Sequence, residues 1–147
     1  MALISAADQA RLREDFGKMT RSVRLLFFTQ TLECETCPLT RQVLDELPPL
    51  SDAISIEEVN FLLDADKAKQ YGIDRVPAVA IDFRDGEEWK DSRIRFLGTP
   101  AGYEFVSLVR AVLLAGGGRP PDLSDRGRAR LAGLDAPLTM RVFTTPT

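Results

Sequence analysis

Apolar residues along this chain fall into two rhythms, one of helices and one of strands. Leu12, Phe16 and Met19 recur at i, i+4 and i+7, which predicts an amphipathic helix from Ser5 to Met19 with Ser5 as its N-cap. Val23 to Thr29 is a nearly unbroken apolar run, the pattern of a central strand covered on both faces. Beyond Pro38, Leu39, Val43, Leu44 and Leu47 return to helical spacing until Pro48-Pro49 stops them. Ala53 to Leu62 contains a second strand with alternating Ile54, Ile56, Val59 and Phe61. A short helix over Asp64 to Tyr71 follows, with Gly72 placed to end it. Val76 to Ile81 predicts a third strand with Pro77 at its mouth, where a missing N–H is tolerated.

Asp85-Gly86 signals a hairpin, and Ile94 to Leu97 reads as the returning strand. Thr99 before Pro100 predicts the start of another helix, with Phe105, Leu108, Val109 and Val112 as its stripe. An early strand–helix–strand unit implies parallel neighbours, and the hairpin adds an antiparallel edge. The expectation is an α/β fold: a mixed four-stranded sheet flanked by helices. Gly116 to Pro121 is a linker by composition. After it come a short helix within Leu123 to Leu134 and a run from Leu138 to Phe143 with the character of a further strand.

Charge and cysteine content narrow the chemistry. A net charge of −3 gives no electrostatic footprint for nucleic acid. No apolar run reaches the ~18 residues of a membrane span, and the polar N-terminus does not read as a signal peptide. A cytoplasmic location, with no nucleic-acid or membrane partner, is the expectation. The chain has no histidine, so Ser-His-Asp and Cys-His catalysis within it is ruled out. Two cysteines alone cannot complete an all-cysteine zinc site, and no metal or cofactor is expected.

Those cysteines form Cys34-Glu35-Thr36-Cys37 at the junction of a buried strand and a helix N-terminus. Unpaired N–H groups and the positive end of the helix dipole there lower a thiol pKa from about 8.5 into a range of roughly 3.5–7.5. Cys34 is the expected nucleophile and Cys37 the resolving thiol. Glu33 and Glu35 bracket Cys34 and oppose thiolate formation, so a modest depression is expected, with Arg75 as a candidate counter-charge. Glu57 and Glu58 are candidate proton acceptors that, as strand neighbours, point to opposite faces. The competing structural readings are small buried cysteines and a proline at a strand entry.

Four segments carry a family resemblance: Leu3-Ile4-Ser5 with Asp8, Cys34 to Cys37, Tyr71 to Ala78, and Phe96 to Phe105. Through them the sequence resembles the glutaredoxin-like protein disulfide oxidoreductases, which carry two thioredoxin-fold units in tandem, each with a CxxC. The resemblance implies a thioredoxin-like fold with an extra N-terminal helix, and thiol–disulfide exchange on protein disulfides. It also implies a cis Val76-Pro77 peptide that faces the dithiol, with Arg75, Val76 and Pro77 as substrate-binding residues. Electrons would come from a thioredoxin-reductase-like flavoprotein or a similar donor. Residues 1–115 then form the first unit, 116–122 a linker, and 123–147 a helix and orphan strand beginning a second unit, with the sequence ending just before a second CxxC. The orphan strand suggests pairing with an edge of its own unit or a homodimer. Thioredoxins place a buried acid six residues before the first cysteine, where this chain has Phe28. The alternatives are an electron relay to a peroxiredoxin and a non-catalytic docking module.

Overall fold

The computed structural model describes residues 3–145. Helix α1, Ala6–Phe16, starts where the Ser5 hydroxyl accepts the Asp8 N–H at 3.2 Å, and it ends at Gly17, short of Met19. The first strand, β1 (Val23–Thr29), has the predicted bounds. It leads into α2 (Cys37–Asp45) and a single 3₁₀ turn at Pro48–Leu50. Strand β2 (Ile54–Asn60) lies parallel to β1, as a strand–helix–strand crossover requires. Helix α3 (Ala65–Gln70) is followed by Gly72 at φ +66°. The antiparallel pair β3 (Ala78–Asp85) and β4 (Glu88–Leu97) completes a sheet of order β2-β1-β3-β4. Helices α4 (Tyr103–Ala115) and α5 (Asp125–Ala132) follow.

Alternation along β1 divides the core into two layers. Val23, Leu25 and Phe27 join Val79, Ile81 and the apolar sides of α2 and α4 in the larger one. Leu26 and Phe28 join Ala78, Ala80, Val59, Ala68 and Ile73 beneath α3 in the smaller. The result is a four-stranded mixed sheet with helices on both faces.

The structure corrects several expectations. Strand β3 starts at Ala78 and leaves Val76 and Pro77 in the loop before it. Strand β4 begins at Glu88, six residues early, because it is an edge strand whose half-exposed residues need not be apolar. A register irregularity opposite Ala80 and Asp82, with Arg93 at φ +65°, further blurs its alternation. Thr99 does not cap α4, which starts at Tyr103 after Gly102. The Thr99 hydroxyl is turned instead toward Thr40.

A further correction concerns the glycine run. The Gly116 carbonyl accepts from Thr20 N at 2.9 Å and Arg21 N at 3.1 Å, and Gly118 N donates to Leu113 O at 2.9 Å. A Cβ on Gly117, which has φ +73°, would fall 2.5 Å from the Thr20 hydroxyl. These glycines pack the end of α4 against the turn before β1, so they are held in place and do not form a free linker. Beyond them α5 buries no side chain. Leu138 to Phe143 forms no strand: it lies against no sheet edge, and without a partner for its N–H and C=O groups an extended segment is not a strand. Pairing with an edge of its own unit is therefore not observed, and Pro146 and Thr147 of that segment lie outside the described residues.

Candidate functional site

The redox pair is built where β1 runs out. Gln30 turns its side-chain amide onto the Leu32 carbonyl at 2.7 Å, and Glu33 takes a left-handed backbone at φ +56°. This compact loop delivers Cys34 beside the start of α2. Cys34 and Cys37 form a disulfide with Cα atoms 5.5 Å apart. Cys37 is the first residue of α2 and only 4% exposed, whereas Cys34 is partly exposed in the loop before it. Thr36 occupies the N-cap position without a side-chain cap. The first-turn N–H groups thus keep their polarity for the sulfurs beside them.

Three loops are tied together around this pair. Thr40, fully buried on α2, donates its hydroxyl to the Thr36 carbonyl at 2.9 Å, and its oxygen lies 2.8 Å from Thr99 Oγ1. Next to Thr99, Gly98 N donates to the Pro77 carbonyl at 2.8 Å. The Val76-Pro77 peptide is cis. Val76 and Cys34 pack against the same core cluster. The CxxC turn, the Val76-Pro77 loop and the Gly98–Pro100 loop therefore share one hydrogen-bonded framework. Sequence reasoning missed the Thr40–Thr99 tie because it joins hydroxyls 59 residues apart.

A cavity of about 250 Å³ opens beside the disulfide, and Cys34, Cys37, Thr29, Arg41, Glu58 and Asn60 are among its lining. The two acids on β2 separate as alternation predicts. Glu58 reaches this cavity and pairs with Arg41, which also holds Asp45 at 2.8 Å. Glu57 lies on the opposite face, paired with Lys67 and with Arg24 at 2.9 Å. Arg75 does not supply the expected counter-charge: it is 64% exposed and bound to Asp74 at 2.8 Å. Asp74 holds the Arg75 guanidinium above its ordinary pKa, and is itself held low by that hydrogen bond. Glu33 and Glu35 are exposed and make no ion pair among the described residues. Leu32, Leu62 and Leu63 stand exposed close by, the last two on a turn where the Asn60 carboxamide oxygen accepts both of their N–H groups. Among the described residues no group of three or more His, Cys, Asp or Glu side chains is arranged to hold a metal. No helix among them is long and apolar enough to cross a membrane.

An isolated CxxC is weak evidence, but a disulfide at the mouth of a helix that follows a buried central strand is much more specific. Comparisons with known proteins agree with it. No family model matches the chain. A probable thioredoxin of Methanothermobacter thermautotrophicus is 31% identical over 77 residues, 52% of this chain and 80% of that protein. One from Methanothermobacter marburgensis is 31% identical over 88 residues, 59% of this chain and 92% of its own length. Among solved structures, the N-terminal domain of an alkylhydroperoxide reductase from Enterococcus faecalis superposes with TM-score 0.73 at 28% identity, over 84% of this chain and 57% of that one. A protein disulfide oxidoreductase from Aeropyrum pernix does so with TM-score 0.70 at 26% identity, over 88% of this chain and 55% of that one. The chain thus spans little more than half of each of these two longer structures. The four-stranded sheet, the redox pair at the mouth of α2 and the likeness to archaeal thioredoxins agree: the chain belongs to the thioredoxin family and is a thiol–disulfide oxidoreductase with Cys34–Cys37 as its CxxC pair.

Proposed function

We propose that the protein reduces disulfides in polypeptide substrates, with Cys34 as the attacking sulfur and Cys37 as the resolving one. The observation that carries this assignment is the difference in access: Cys34 is partly exposed and Cys37 is 4% exposed. In the reduced protein the Cys34 thiolate attacks one substrate sulfur, the substrate S–S bond breaks, and the released thiolate takes up a proton. Cys37 then gives up its proton and attacks Cys34 Sγ. The mixed disulfide breaks, the second substrate thiol leaves protonated, and two electrons have passed from the dithiol to the substrate. Glu58 would receive the Cys37 proton, directly or through one water; its position in the lining of the same cavity supports this reading.

Val76 and Pro77 would receive the substrate backbone. Val76 makes no backbone hydrogen bond among the described residues, so its N–H and C=O are open to an extended peptide. Arg75, held by Asp74 and turned outward, has no such support. The donor that regenerates the dithiol would be a thioredoxin-reductase-like flavoprotein. The tandem reading, in which residues from about 123 begin a second unit, is supported by the sequence of Met140 to Thr147 and by α5 burying nothing against the first unit.

A second reading, electron relay to a peroxiredoxin, is favoured by the superposition on the alkylhydroperoxide reductase domain. The test is insulin reduction driven by dithiothreitol, run beside peroxiredoxin turnover, for the wild type, Cys34→Ser and Cys37→Ser. Cys34→Ser is expected to abolish both activities, and Cys37→Ser to accumulate a mixed disulfide. Undiminished turnover by Cys34→Ser would overturn the assignment, and partner binding without turnover by the wild type would favour a docking module.

A further inference from the structure

The proposed reaction leaves open which disulfides the site accepts, and the rim of Cys34 bears on that question. The residues on either side of Cys34 are both glutamates, and both are exposed. Two arginines that could be considered as counter-charges are already paired: Arg41 with Asp45 and Glu58, Arg75 with Asp74. No ion pair among the described residues neutralises Glu33 or Glu35. Glu33 also occupies a backbone region (φ +56°) where side chains are disfavoured and glycine or asparagine is usual. The loop is held in this shape by the Gln30 amide on the Leu32 carbonyl. The carboxylate thus stands on a fixed turn and not on a loose strand end.

These charges disfavour the Cys34 thiolate itself. They act on a substrate as well, since any disulfide attacked by Cys34 must bring its flanking residues within a few ångströms of both carboxylates. We propose that Glu33 and Glu35 select substrates by charge, favouring polypeptide disulfides flanked by lysine or arginine over those flanked by acidic residues. The site is the redox pair itself, and the inference rests on Cys34 being the attacking sulfur. The same rim disfavours glutathione disulfide, whose carboxylates outnumber its ammonium groups. Charges about 8 Å apart in water change an encounter by about twofold per pair. With two carboxylates facing two substrate charges, the difference between a basic and an acidic substrate is on the order of tenfold at low salt. It shrinks to about twofold near 0.5 M salt, where the Debye length is only a few ångströms.

The experiment uses three synthetic disulfide peptides, identical except for two flanking residues that are Lys, Gln or Glu. Second-order rate constants for their reduction by the fully reduced protein are measured at about 20 mM and about 500 mM salt, for the wild type and for Glu33→Gln/Glu35→Gln. The readout is the Lys-to-Glu rate ratio, because removing two carboxylates also changes the Cys34 thiolate population and so the absolute rates. The expected result is a wild-type ratio of about ten at low salt that falls with salt, and a ratio in the double variant reduced to about two. A wild-type ratio near one at low salt, a preference for the Glu peptide, or a ratio unchanged in the variant would overturn the proposal. Failure to reduce any of the three, the uncharged Gln peptide included, would instead overturn the reading of Cys34 as the attacking sulfur.

Discussion

Replacing Arg24 by methionine should strongly destabilise the fold. Asp82 on β3 is fully buried, and Arg24 lies directly across from it in the β1–β3 register. Arg24 Nη2 meets Asp82 Oδ2 at 2.6 Å, and the Tyr71 hydroxyl donates to the same oxygen at 2.8 Å. Methionine keeps most of the side chain's volume but leaves the carboxylate with Tyr71 alone. Removing one partner of a buried ion pair costs about 3–5 kcal/mol, because the other charge stays buried and unpaired. Loss of the Arg24 contact with the Trp89 ring, 4.7 Å from its centroid, adds about 0.5–1 kcal/mol.

The pair itself is not well satisfied. Arg24 Nε and Asp82 Oδ1 are buried without a hydrogen-bond partner in the structure. Replacing both residues by apolar ones should therefore recover most of the loss, so Arg24→Met/Asp82→Leu is expected to be more stable than Arg24→Met alone by ~2 kcal/mol or more. Urea unfolding followed by circular dichroism measures both. With a denaturant slope of about 1.5 kcal/mol per M, the single variant's midpoint should fall by about 2–4 M. A single-variant loss below about 1 kcal/mol, or a double variant no better than the single, would refute the account.

Three further outcomes follow from the structure. Burial, then the hydrogen bond to Asp82, raises the Tyr71 pKa from 10.0 to about 12. Its contribution to stability is thus intact below pH 10 and lost between 10 and 12, so the stability gap between wild type and Tyr71→Phe should narrow over that window in urea titrations. Thr40→Val removes the hydroxyl that bonds both the Thr36 carbonyl and Thr99 Oγ1 and should cost about 1–2 kcal/mol. Adding Thr99→Val should cost less than the sum of the single changes, a coupling that a double-mutant cycle reads directly. Gly117→Ala meets both a positive φ and the Thr20 hydroxyl and should lower stability by about 1–3 kcal/mol, measurable as a lower thermal midpoint.

What the sequence revealed, it revealed through density of apolar residues and through short-range chemistry. Val23 to Thr29 has its bounds written in it because a strand covered on both faces tolerates almost nothing polar. Ser5 is legible as a cap because its partner, Asp8 N, is three residues away. Strand β4 is obscured because Lys90, Asp91 and Arg93 answer to solvent and to a local irregularity, not to a core. The glycines after α4 look like a linker because a flexible segment and a close backbone approach select the same residue. Only the Thr20 hydroxyl and the Met19 side chain, from the turn before β1, tell the two apart. At the site, the CxxC junction and the cis peptide follow from sequence and resemblance, while the Thr40–Thr99 tie needs the fold.

The proposed proton route depends on strand register. Phe28 stands where a thioredoxin would carry its buried acid, which leaves Cys37 without an obvious proton acceptor. Phe28, however, belongs to the layer beneath α3, with its ring centroid 5.9 Å from that of Tyr71. Cys37 packs in the other layer, with Phe27. An acid at position 28 would therefore point away from the resolving sulfur in this chain. The parallel register pairs Phe27 with Glu58, and directly paired residues share a face of the sheet. Strand alternation then turns Glu57 toward Arg24 and Lys67 and leaves Glu58 on the Cys37 side, lining the cavity that both cysteines share. One residue of slip in the β1–β2 pairing would exchange their roles, so the choice between two adjacent glutamates is made by register and not by chemistry.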